Sequence, residues 1–222
     1  MKTDIKVPEL LSPAGNFEKM KAALLYGADA VYLGVGNFNA RRNAENFDTA
    51  SLCEAVKYCH IRGVKVYLTL NIILKDSELS SALKTATDAY NAGIDGIIVA
   101  DLGIAKILKE QLPLLPLHAS TQLSVHSPSA LKPLKDLGFS RVVVAREMSY
   151  EGLREICDEA KKLDMEIEAF VHGALCMCVS GQCYLSSLIG GRSGNRGLCA
   201  QPCRLPFGAE KGTGHDLSLK DL

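Results

Sequence analysis

Short apolar runs alternate with amphipathic helical segments along most of this chain, starting at Glu9. Regular alternation of this kind is typical of strand and helix units that build a parallel β-sheet. The interiors of the runs are continuously apolar, so both faces of the sheet are expected to be covered. The runs predicted as strands are ELLSPA, AVYLGV, VKVYLTLNI, DGIIVAD, LHASTQL, RVVVAREM and EIEAFVHG. Asn16 and Asp48 are predicted to cap the first two helices.

The ends of these runs favour a closed barrel over an open sheet. Nearly every run ends in polar or small residues, and in a barrel these ends meet at one mouth, where active sites of that fold lie. In an open sheet the ends would form a line, and the SPAGN turn after the first run lacks the glycine-rich dinucleotide fingerprint. We therefore predict an α/β fold of the TIM-type (β/α) barrel class.

The number of predicted strands is one short of the eight that such a barrel needs. No convincing eighth run follows the cysteine-rich region, so either the weak stretch around Leu217 to Leu219 completes the barrel or the chain is a piece of a longer protein. We expect a truncated chain with an incomplete barrel of about seven strands. The predicted organisation is a barrel scaffold at 1–172, a cysteine-rich loop at the barrel mouth at 173–207, and a polar tail at 208–222 leading to missing C-terminal elements.

Length and charge limit the classes of protein that this chain can represent. A chain of 222 residues at 47% hydrophobic composition fits one α/β domain. Its formal net charge is zero, so an RNA partner has to be argued from local features. The chain shows neither a signal-peptide pattern nor an apolar run long enough to span a bilayer, which predicts a cytoplasmic protein without membrane association.

The cysteines are concentrated in the stretch from Glu168 to Arg204. In a reducing cytoplasm, clustered cysteines are metal ligands or catalytic thiols more often than disulfides. Two pairs of CxxC, common in zinc ribbons, are missing, so an iron–sulfur cluster is a more natural prediction than a structural zinc, with unliganded thiols as the alternative. Cys178 is expected to point away from the ligand set and is left out. The predicted ligands are Cys176, Cys183, Cys199 and Cys203.

Two other side chains are candidates for acid–base chemistry. His172 ends the seventh run, four residues before Cys176, and a histidine exchanges protons near neutral pH. Glu168 shares a face of the same strand with His172 and could reach the barrel interior. The alternative for His172 is a hydrogen bond to a neighbouring loop. Arg146 and Glu147 are expected to neutralise each other in a salt bridge.

Five arginines are predicted on the mouth side of the barrel. Guanidinium groups suit phosphate or carboxylate recognition through paired hydrogen bonds, although any one of them alone could be solubilising surface charge. The predicted substrate-binding residues are Arg41, Arg42, Arg192, Arg196 and Arg204.

Several segments resemble peptidase family U32, the collagenase-like peptidases. The segments EAFVHGALC and SGQCYLSS look like the family's signature, and the resemblance extends to NARRNAENF, GNRGLCAQPCR and the N-terminal ELLSPAGNFEKMKAALLYGADAVYLG. Together they cover nearly the whole chain.

The resemblance implies two different activities. Some members are collagen-degrading peptidases of unassigned catalytic type, whereas others support hydroxylation of a tRNA or rRNA pyrimidine through prephenate-linked chemistry, or hydroxylation in ubiquinone synthesis. The hydroxylation members carry a cysteine-bound [4Fe–4S] cluster, whose ligand pattern implies Cys176, Cys183 and Cys199 here. The fourth ligand is either Cys203 or a cysteine beyond Leu222.

The residues favour hydroxylation over proteolysis. The chain has no HExxH helix and no GxSxG elbow, so a peptidase would depend on the thiol of Cys176 near His172. One thiol would suffice for that chemistry, while a redox cluster explains several. The prediction is an enzyme that hydroxylates RNA with a [4Fe–4S] cluster, with prephenate as a co-substrate. A noncatalytic cluster-bearing subunit that docks on a protein partner, or on the missing C-terminal segment, is the third alternative.

Overall fold

The computed structural model describes residues 7–40, 42, 45–173 and 176–205. Their core is one sheet of seven parallel strands whose spatial order follows the chain. The strands are β1 (Leu11–Pro13), β2 (Ala30–Gly34), β3 (Lys65–Leu70), β4 (Gly96–Val99), β5 (Leu117–Ala119), β6 (Phe139–Val143) and β7 (Glu166–Glu168). Each strand pairs only with its neighbours in sequence, as the predicted strand and helix units require.

A helix follows each of the first six strands, and a seventh lies in the cysteine-rich region. The helices are α1 (Phe17–Leu25), α2 (Thr49–His60), α3 (Leu79–Ala92), α4 (Leu102–Gln111), α5 (Leu131–Asp136), α6 (Tyr150–Lys162) and α7 (Leu185–Gly190). Both predicted caps are confirmed, because Asn16 accepts a hydrogen bond from the Lys19 amide and Asp48 accepts one from the Ser51 amide. None of the helices in the described ranges is long and apolar enough to cross a membrane.

The main apolar core lies between the sheet and its helices. Leu52 of α2 and Leu108 of α4 are buried there, together with strand residues such as Val66, Ile97 and Phe139. Each large side chain buried in this layer contributes about 1.5–3 kcal/mol. A second, smaller cluster is formed by Ala30, Tyr67 and Ile98. Successive side chains on a strand point to opposite faces of the sheet. Tyr67 and Ile98 each follow a residue of the main core, Val66 and Ile97, so this smaller cluster lies on the inner face of the sheet.

The sheet curls into a partial barrel. Glu9, just before β1, reaches across the interior to Arg141 on β6 and to Lys65 on β3. The predicted barrel class and the count of seven strands are confirmed for the described residues. Within them, β1 and β7 each have a strand on one side only. The stretch around Leu217 to Leu219, and with it the predicted tail at 208–222, lies outside the described residues.

The strands end earlier than predicted, and at two of them the difference affects candidate residues or local structure. β7 ends at Glu168, so the expectation that His172 ends this strand is wrong, and the histidine lies in the loop that follows. β5 ends at Ala119, and the predicted continuation forms a 3-10 turn at Thr121–Leu123, where Ser120 accepts a hydrogen bond from the Gln122 amide. Serine favours such a local turn over further strand pairing.

Candidate functional site

The described part of the cysteine-rich region, residues 176–205, lies over the carboxyl ends of the strands and is called here the cysteine segment. Its first attachment is a close backbone contact at Gly181. A Cβ atom at this position would lie 2.0 Å from the carbonyl oxygen of Gln122, in the turn that follows β5, and the φ angle is +73°. Only glycine combines this backbone conformation with so close an approach.

Ser180 forms the polar half of this attachment. It is completely buried, and its amide and hydroxyl donate to the two carboxylate oxygens of Glu147 at 2.8 and 2.9 Å. The backbone amide and Nε of Arg146 both donate to the Ser180 hydroxyl, at 3.3 and 3.2 Å. Ser124 adds a hydrogen bond to the Ser180 carbonyl. The segment is thereby joined to the loops that follow β5 and β6.

Glu147 is held in its charged form by these contacts. Its carboxylate also lies 2.9 Å from Nε2 of His126. Burial alone would raise the pKa of Glu147, but the hydrogen bonds from Ser180 outweigh it and lower the pKa to about 2. The predicted salt bridge between Arg146 and Glu147 is wrong, because Arg146 donates to Ser180 while Glu147 pairs with His126.

A second attachment connects the segment to the loops after β2 and β3. A Cβ atom at Gly197 would lie 2.3 Å from the Asn39 carbonyl oxygen and 3.1 Å from Cβ of Arg42. Arg196 makes two hydrogen bonds to the carboxylate of Glu78, at 2.7 and 3.0 Å, and a third to the carbonyl of Ile73. These contacts hold the segment on the opposite side of the barrel mouth from Ser180.

Three thiols come together where the segment begins. Burial, followed by the neighbouring thiols of Cys183 and Cys176, raises the pKa of Cys178. Cys178 thus lies near two of the predicted ligands, and its exclusion from the ligand set stays a prediction. The chain bends at Met177 and Cys178, and the sequence gives no periodic signal for such a bend.

A small cavity opens beside these thiols. Its volume is about 280 Å³, and it is lined by Cys176, Cys178, Arg146 and Glu147 together with two apolar side chains, Met177 and Val179. It combines thiols, a guanidinium and a carboxylate at the carboxyl ends of the strands, where barrel enzymes carry their active sites. This cavity is the candidate functional site.

The two later cysteines lie near the same loops. A Cβ atom at Gly194 would be 3.6 Å from Cβ of Cys199 and 3.9 Å from the carbonyl oxygen of Cys183. Cys199 is exposed and Cys203 is half-buried, and all eight cysteines are free thiols. Across the described ranges, no three histidine, cysteine or acidic side chains are arranged as a ready metal site.

The family model for peptidase family U32 matches residues 15–222. The chain belongs to peptidase family U32. This confirms the family suggested by the motifs around Gly181, Cys183 and Gly197.

The similarity to individual U32 proteins is substantial. The chain is 44% identical over 220 residues to the 23S rRNA 5-hydroxycytidine C2501 synthase of Escherichia coli (strain K12), covering 96% of this chain and 33% of that protein. It is 41% identical over 202 residues to tRNA hydroxylation protein P1 of Bacillus subtilis (strain 168), covering 91% and 47%. It is also 36% identical over 227 residues to the collagenase of Porphyromonas gingivalis (strain ATCC BAA-308 / W83), covering 96% and 53%. The chain thus spans a third to about half of the length of these relatives.

A solved structure agrees with the fold. The U32 peptidase Mk0906 superimposes with a TM-score of 0.62 at 16% identity, covering 76% of this chain and 70% of that one. A structural similarity at this low sequence identity supports the barrel fold and nothing further.

The remaining predicted site residues of this U32 chain lie in different environments. His172 is exposed and makes no hydrogen bond to Cys176. Glu168 faces the barrel interior, as expected, 3.6 Å from Arg141, and does not line this cavity. Burial raises the pKa of Glu168 to about 6, with the charge of Arg141 opposing it. The catalytic roles of both residues stay predictions.

The five arginines predicted to bind substrate also differ in their surroundings. Arg41 lies outside the described residues. Arg42 packs near Gly197, Arg192 is exposed, and Arg204 is half-buried among contacts of its own. Arg196 is occupied by Glu78, which gives it a positioning role, and substrate binding by these arginines stays a prediction.

Two functional-site residues, Ser180 and His126, were missed from the sequence. The hydrogen bond from Arg146 to the Ser180 hydroxyl was missed as well. The SGQC motif contains Ser180 and Gly181, and a serine before a glycine reads as an ordinary turn. Nothing local distinguishes a serine that is fully buried against Glu147 from one that is solvated. The burial of Ser180 becomes evident only in the folded chain, where the loops after β5 and β6 lie together.

Proposed function

We propose that this U32 chain acts in hydroxylation of a pyrimidine in tRNA or rRNA, with an iron–sulfur cluster held by the cysteine segment. The observation that carries the proposal is the gathering of Cys176, Cys178 and Cys183 beside a cavity at the barrel mouth. The names of the rRNA and tRNA relatives, at 44% and 41% identity, supply the substrate class.

The donor set suits a cluster. Cysteine thiolates are the ligands of iron–sulfur clusters, and the thiols here lie on a glycine-rich segment attached at both sides of the mouth. The described residues form no ready three-ligand site, so the thiols would have to lie closer together to hold a cluster. Cys176, Cys183 and Cys199 would hold the cluster, with Cys203 as the candidate fourth ligand. Cys178 is an additional candidate because its thiol lies with that of Cys183. When bound, the cluster supplies one-electron redox chemistry.

The chain's own residues would position the substrates. Arg146 lines the cavity and can pair with a phosphate or with a carboxylate of a co-substrate such as prephenate. Glu147 keeps Ser180 and the adjoining thiols in place rather than exchanging protons, since its carboxylate is fully engaged. Arg192, Arg204 and Arg42 lie in or beside the segment and are the candidate contacts to RNA, together with Arg41.

Proteolysis is the second candidate, favoured by the relative named collagenase. A thiol peptidase needs a cysteine activated by an adjacent base, but His172 makes no hydrogen bond to Cys176. The buried Ser180 does not resemble a peptidase nucleophile either, because its hydroxyl donates to Glu147 and makes no hydrogen bond to a histidine among the described residues. The arrangement therefore favours hydroxylation.

Metal content tests the first half of the proposal. Protein purified without oxygen is expected to be brown and to contain about four iron and four sulfide per chain. Cys183→Ser should remove most of the iron. Cys157→Ser is the matched control, because Cys157 is a half-buried thiol on α6, and it should leave the iron content unchanged. A colourless protein that cleaves denatured collagen would favour the peptidase instead.

RNA analysis tests the second half. Nucleoside analysis of tRNA and rRNA from a deletion strain is expected to show the loss of one hydroxylated pyrimidine, restored by the wild-type gene and not by Cys183→Ser. Unchanged RNA from a strain whose protein carries iron would contradict RNA hydroxylation and favour a noncatalytic cluster-bearing subunit.

A further inference from the structure

Arg146 and Glu147 are neighbours in the loop after β6, yet they do not neutralise each other. Glu147 accepts hydrogen bonds from the amide and hydroxyl of Ser180, at 2.8 and 2.9 Å, and its carboxylate lies 2.9 Å from Nε2 of His126. No ion pair joins Arg146 to Glu147 or to another acidic side chain of the described residues. The carboxylate next to Arg146 in the sequence is therefore engaged elsewhere.

The guanidinium of Arg146 keeps its two terminal amino groups for a ligand. Its Nε donates to the Ser180 hydroxyl at 3.2 Å, and Ser180 is completely buried, so the direction of the planar group is fixed. Nη1 and Nη2 make no hydrogen bond within the ranges that the structure describes. Arg146 is half-buried and lines the cavity beside the thiols. Paired N–H donors of this kind suit a carboxylate or a phosphate, whose oxygens can accept from both.

His126 compensates the charge of Glu147. Nδ1 of the ring lies 2.6 Å from the carbonyl oxygen of Ser124, and Nε2 lies 2.9 Å from the Glu147 carboxylate. Both partners can only accept, so the two contacts are hydrogen bonds when both ring nitrogens carry a proton, and the ring is then an imidazolium. The positive charge of His126 offsets the negative charge of Glu147, and the charge of Arg146 is left to attract an anion.

The cavity limits the size of that anion. Its volume of about 280 Å³ is just below the range of about 300–1,000 Å³ that is usual for pockets of drug-sized ligands. Beside Arg146, the side chains of Met177 and Val179 give the cavity an apolar wall. A small organic acid with an apolar body suits this combination better than a bare inorganic ion does.

We propose that Arg146 binds the carboxylate or phosphate group of a small organic acid in this cavity, and that His126 is a positioning residue, which holds Glu147 away from the guanidinium. Ser180 is a second positioning residue, because it orients the guanidinium and also binds Glu147. The role of such an acid as a co-substrate rests on the function proposed above. Its binding is measured without RNA or turnover, so a failure to bind leaves the iron and RNA tests of that function unaffected.

Three probes that share a benzene ring test the proposal in titrations of the whole chain. Benzoate carries a carboxylate, phenyl phosphate carries a phosphate, and benzamide has the shape of benzoate without its charge. Calorimetry should show that benzoate or phenyl phosphate binds at least about tenfold more tightly than benzamide. The tighter binder of the two anions identifies the kind of acid that the cavity takes. In the wild-type protein, the NMR signal of the Arg146 Nε–H group should shift with the anions and not with benzamide, a readout that needs no variant.

Variants separate the binding residue from the positioning residue. Arg146→Gln should weaken binding of the anions at least about tenfold through loss of charge-assisted hydrogen bonds. His126→Asn removes the ring nitrogen that contacts Glu147, and it should weaken binding about two- to fivefold, because Glu147 can then pair with Arg146. Adding Glu147→Gln to His126→Asn should restore the binding, since the competing carboxylate is gone. A histidine that only supported the fold would show no such rescue.

His60→Asn is the matched control. His60 also lies 2.9 Å from a carboxylate, that of Asp95, and its side chain is 41% exposed, as is that of His126. This variant should leave anion binding unchanged. Equal binding of benzamide and the anions, no binding of either anion, binding unaffected by Arg146→Gln, or a double variant as weak as His126→Asn would overturn the proposal.

Discussion

The carboxylate of Glu9 and the guanidinium of Arg141 lie 2.8 Å apart inside the curled sheet, although 132 residues separate them in the chain. Arg141 is nearly buried and also pairs with Glu166 at 2.6 Å. Glu9 accepts further hydrogen bonds from Lys65 and from the Tyr67 hydroxyl, at 2.8 and 2.9 Å. One carboxylate before β1 therefore joins the first, third and sixth strands, and it holds the curvature of the sheet at its amino-terminal end.

Removing the charge of Glu9 should destabilise the barrel. We expect Glu9→Gln to lower the free energy of unfolding by about 1–3 kcal/mol, because it leaves a nearly buried guanidinium with one fewer carboxylate partner. Urea unfolding followed by circular dichroism measures the change. Asp158→Asn, which breaks an exposed pair with Lys161, should leave the unfolding curve unchanged. Equal effects of the two substitutions would contradict a special role for Glu9.

The contribution of Glu9 should also depend on pH. Burial raises its pKa, but the hydrogen bonds from Lys65 and Arg141 outweigh burial and lower the pKa from an ordinary 4.5 to about 2. A group whose pKa is lowered by folding stabilises the protein fully above the unfolded pKa and loses that effect as the pH falls through the folded pKa. The difference in unfolding free energy between wild type and Glu9→Gln should therefore shrink from pH 4.5 to pH 2. A difference that stays constant over this range would show that the charge of Glu9 is not responsible.

The strands and helices were predictable because their signals are local. The continuous apolar run of β4 and the caps Asn16 and Asp48 act within a few residues, and all three are found in the structure. The contact between Glu9 and Arg141 has no local signal, because neither residue's neighbours in sequence indicate that the sheet will curl. Charged residues within predicted strands, such as Arg141 and Glu168, indicate that the interior of the barrel is polar.

The cysteine segment was predictable in composition but less so in arrangement. Its concentration of cysteines is evident from the sequence, whereas its attachments to the barrel are not. The partners of Gly181 and Gly197 come from the loops after β5 and β2, 59 and 158 residues away for the nearest atoms. The bend at Met177 and Cys178 was not predicted, because the regular spacing of an extended segment was assumed there.

A methyl group at Gly181 should separate the cysteine segment from the barrel. In Gly181→Ala the new Cβ would meet the Gln122 carbonyl at 2.0 Å, and the φ angle of +73° is unfavourable for alanine. We expect a loss of at least about 2 kcal/mol in unfolding free energy, together with faster hydrogen exchange in residues 176–183. Gly190→Ala is the matched control, since a Cβ there contacts nothing within 4 Å and lies at the end of α7. Native exchange rates in Gly181→Ala would contradict the close packing.

Removing the hydroxyl of Ser180 should destabilise the protein, although the residue lies in a loop. Ser180→Ala leaves the Glu147 carboxylate and Arg146 with one hydrogen-bond partner fewer in a buried site, which costs about 1–3 kcal/mol. If the thiols hold a cluster, its iron should also be lost more readily to a chelator. Ser187→Ala changes a serine of the same segment whose hydroxyl makes no hydrogen bond within the described ranges, and it should behave as wild type.

Arg196 and Glu78 should act as one unit that positions the cysteine segment. Their two hydrogen bonds, at 2.7 and 3.0 Å, connect the turn at Gly194–Arg196 to the start of α3, and both side chains are mostly covered. Arg196→Gln and Glu78→Gln should each destabilise the protein, while the double variant should lose less than the sum, with a coupling of about 1–2 kcal/mol. Urea unfolding of the four proteins gives this coupling. RNA affinity separates positioning from direct contact: if Arg196 positions the segment, Glu78→Gln should weaken RNA binding as much as Arg196→Gln does. If only the arginine variant loses affinity, Arg196 binds the RNA itself, and Glu78 merely orients it.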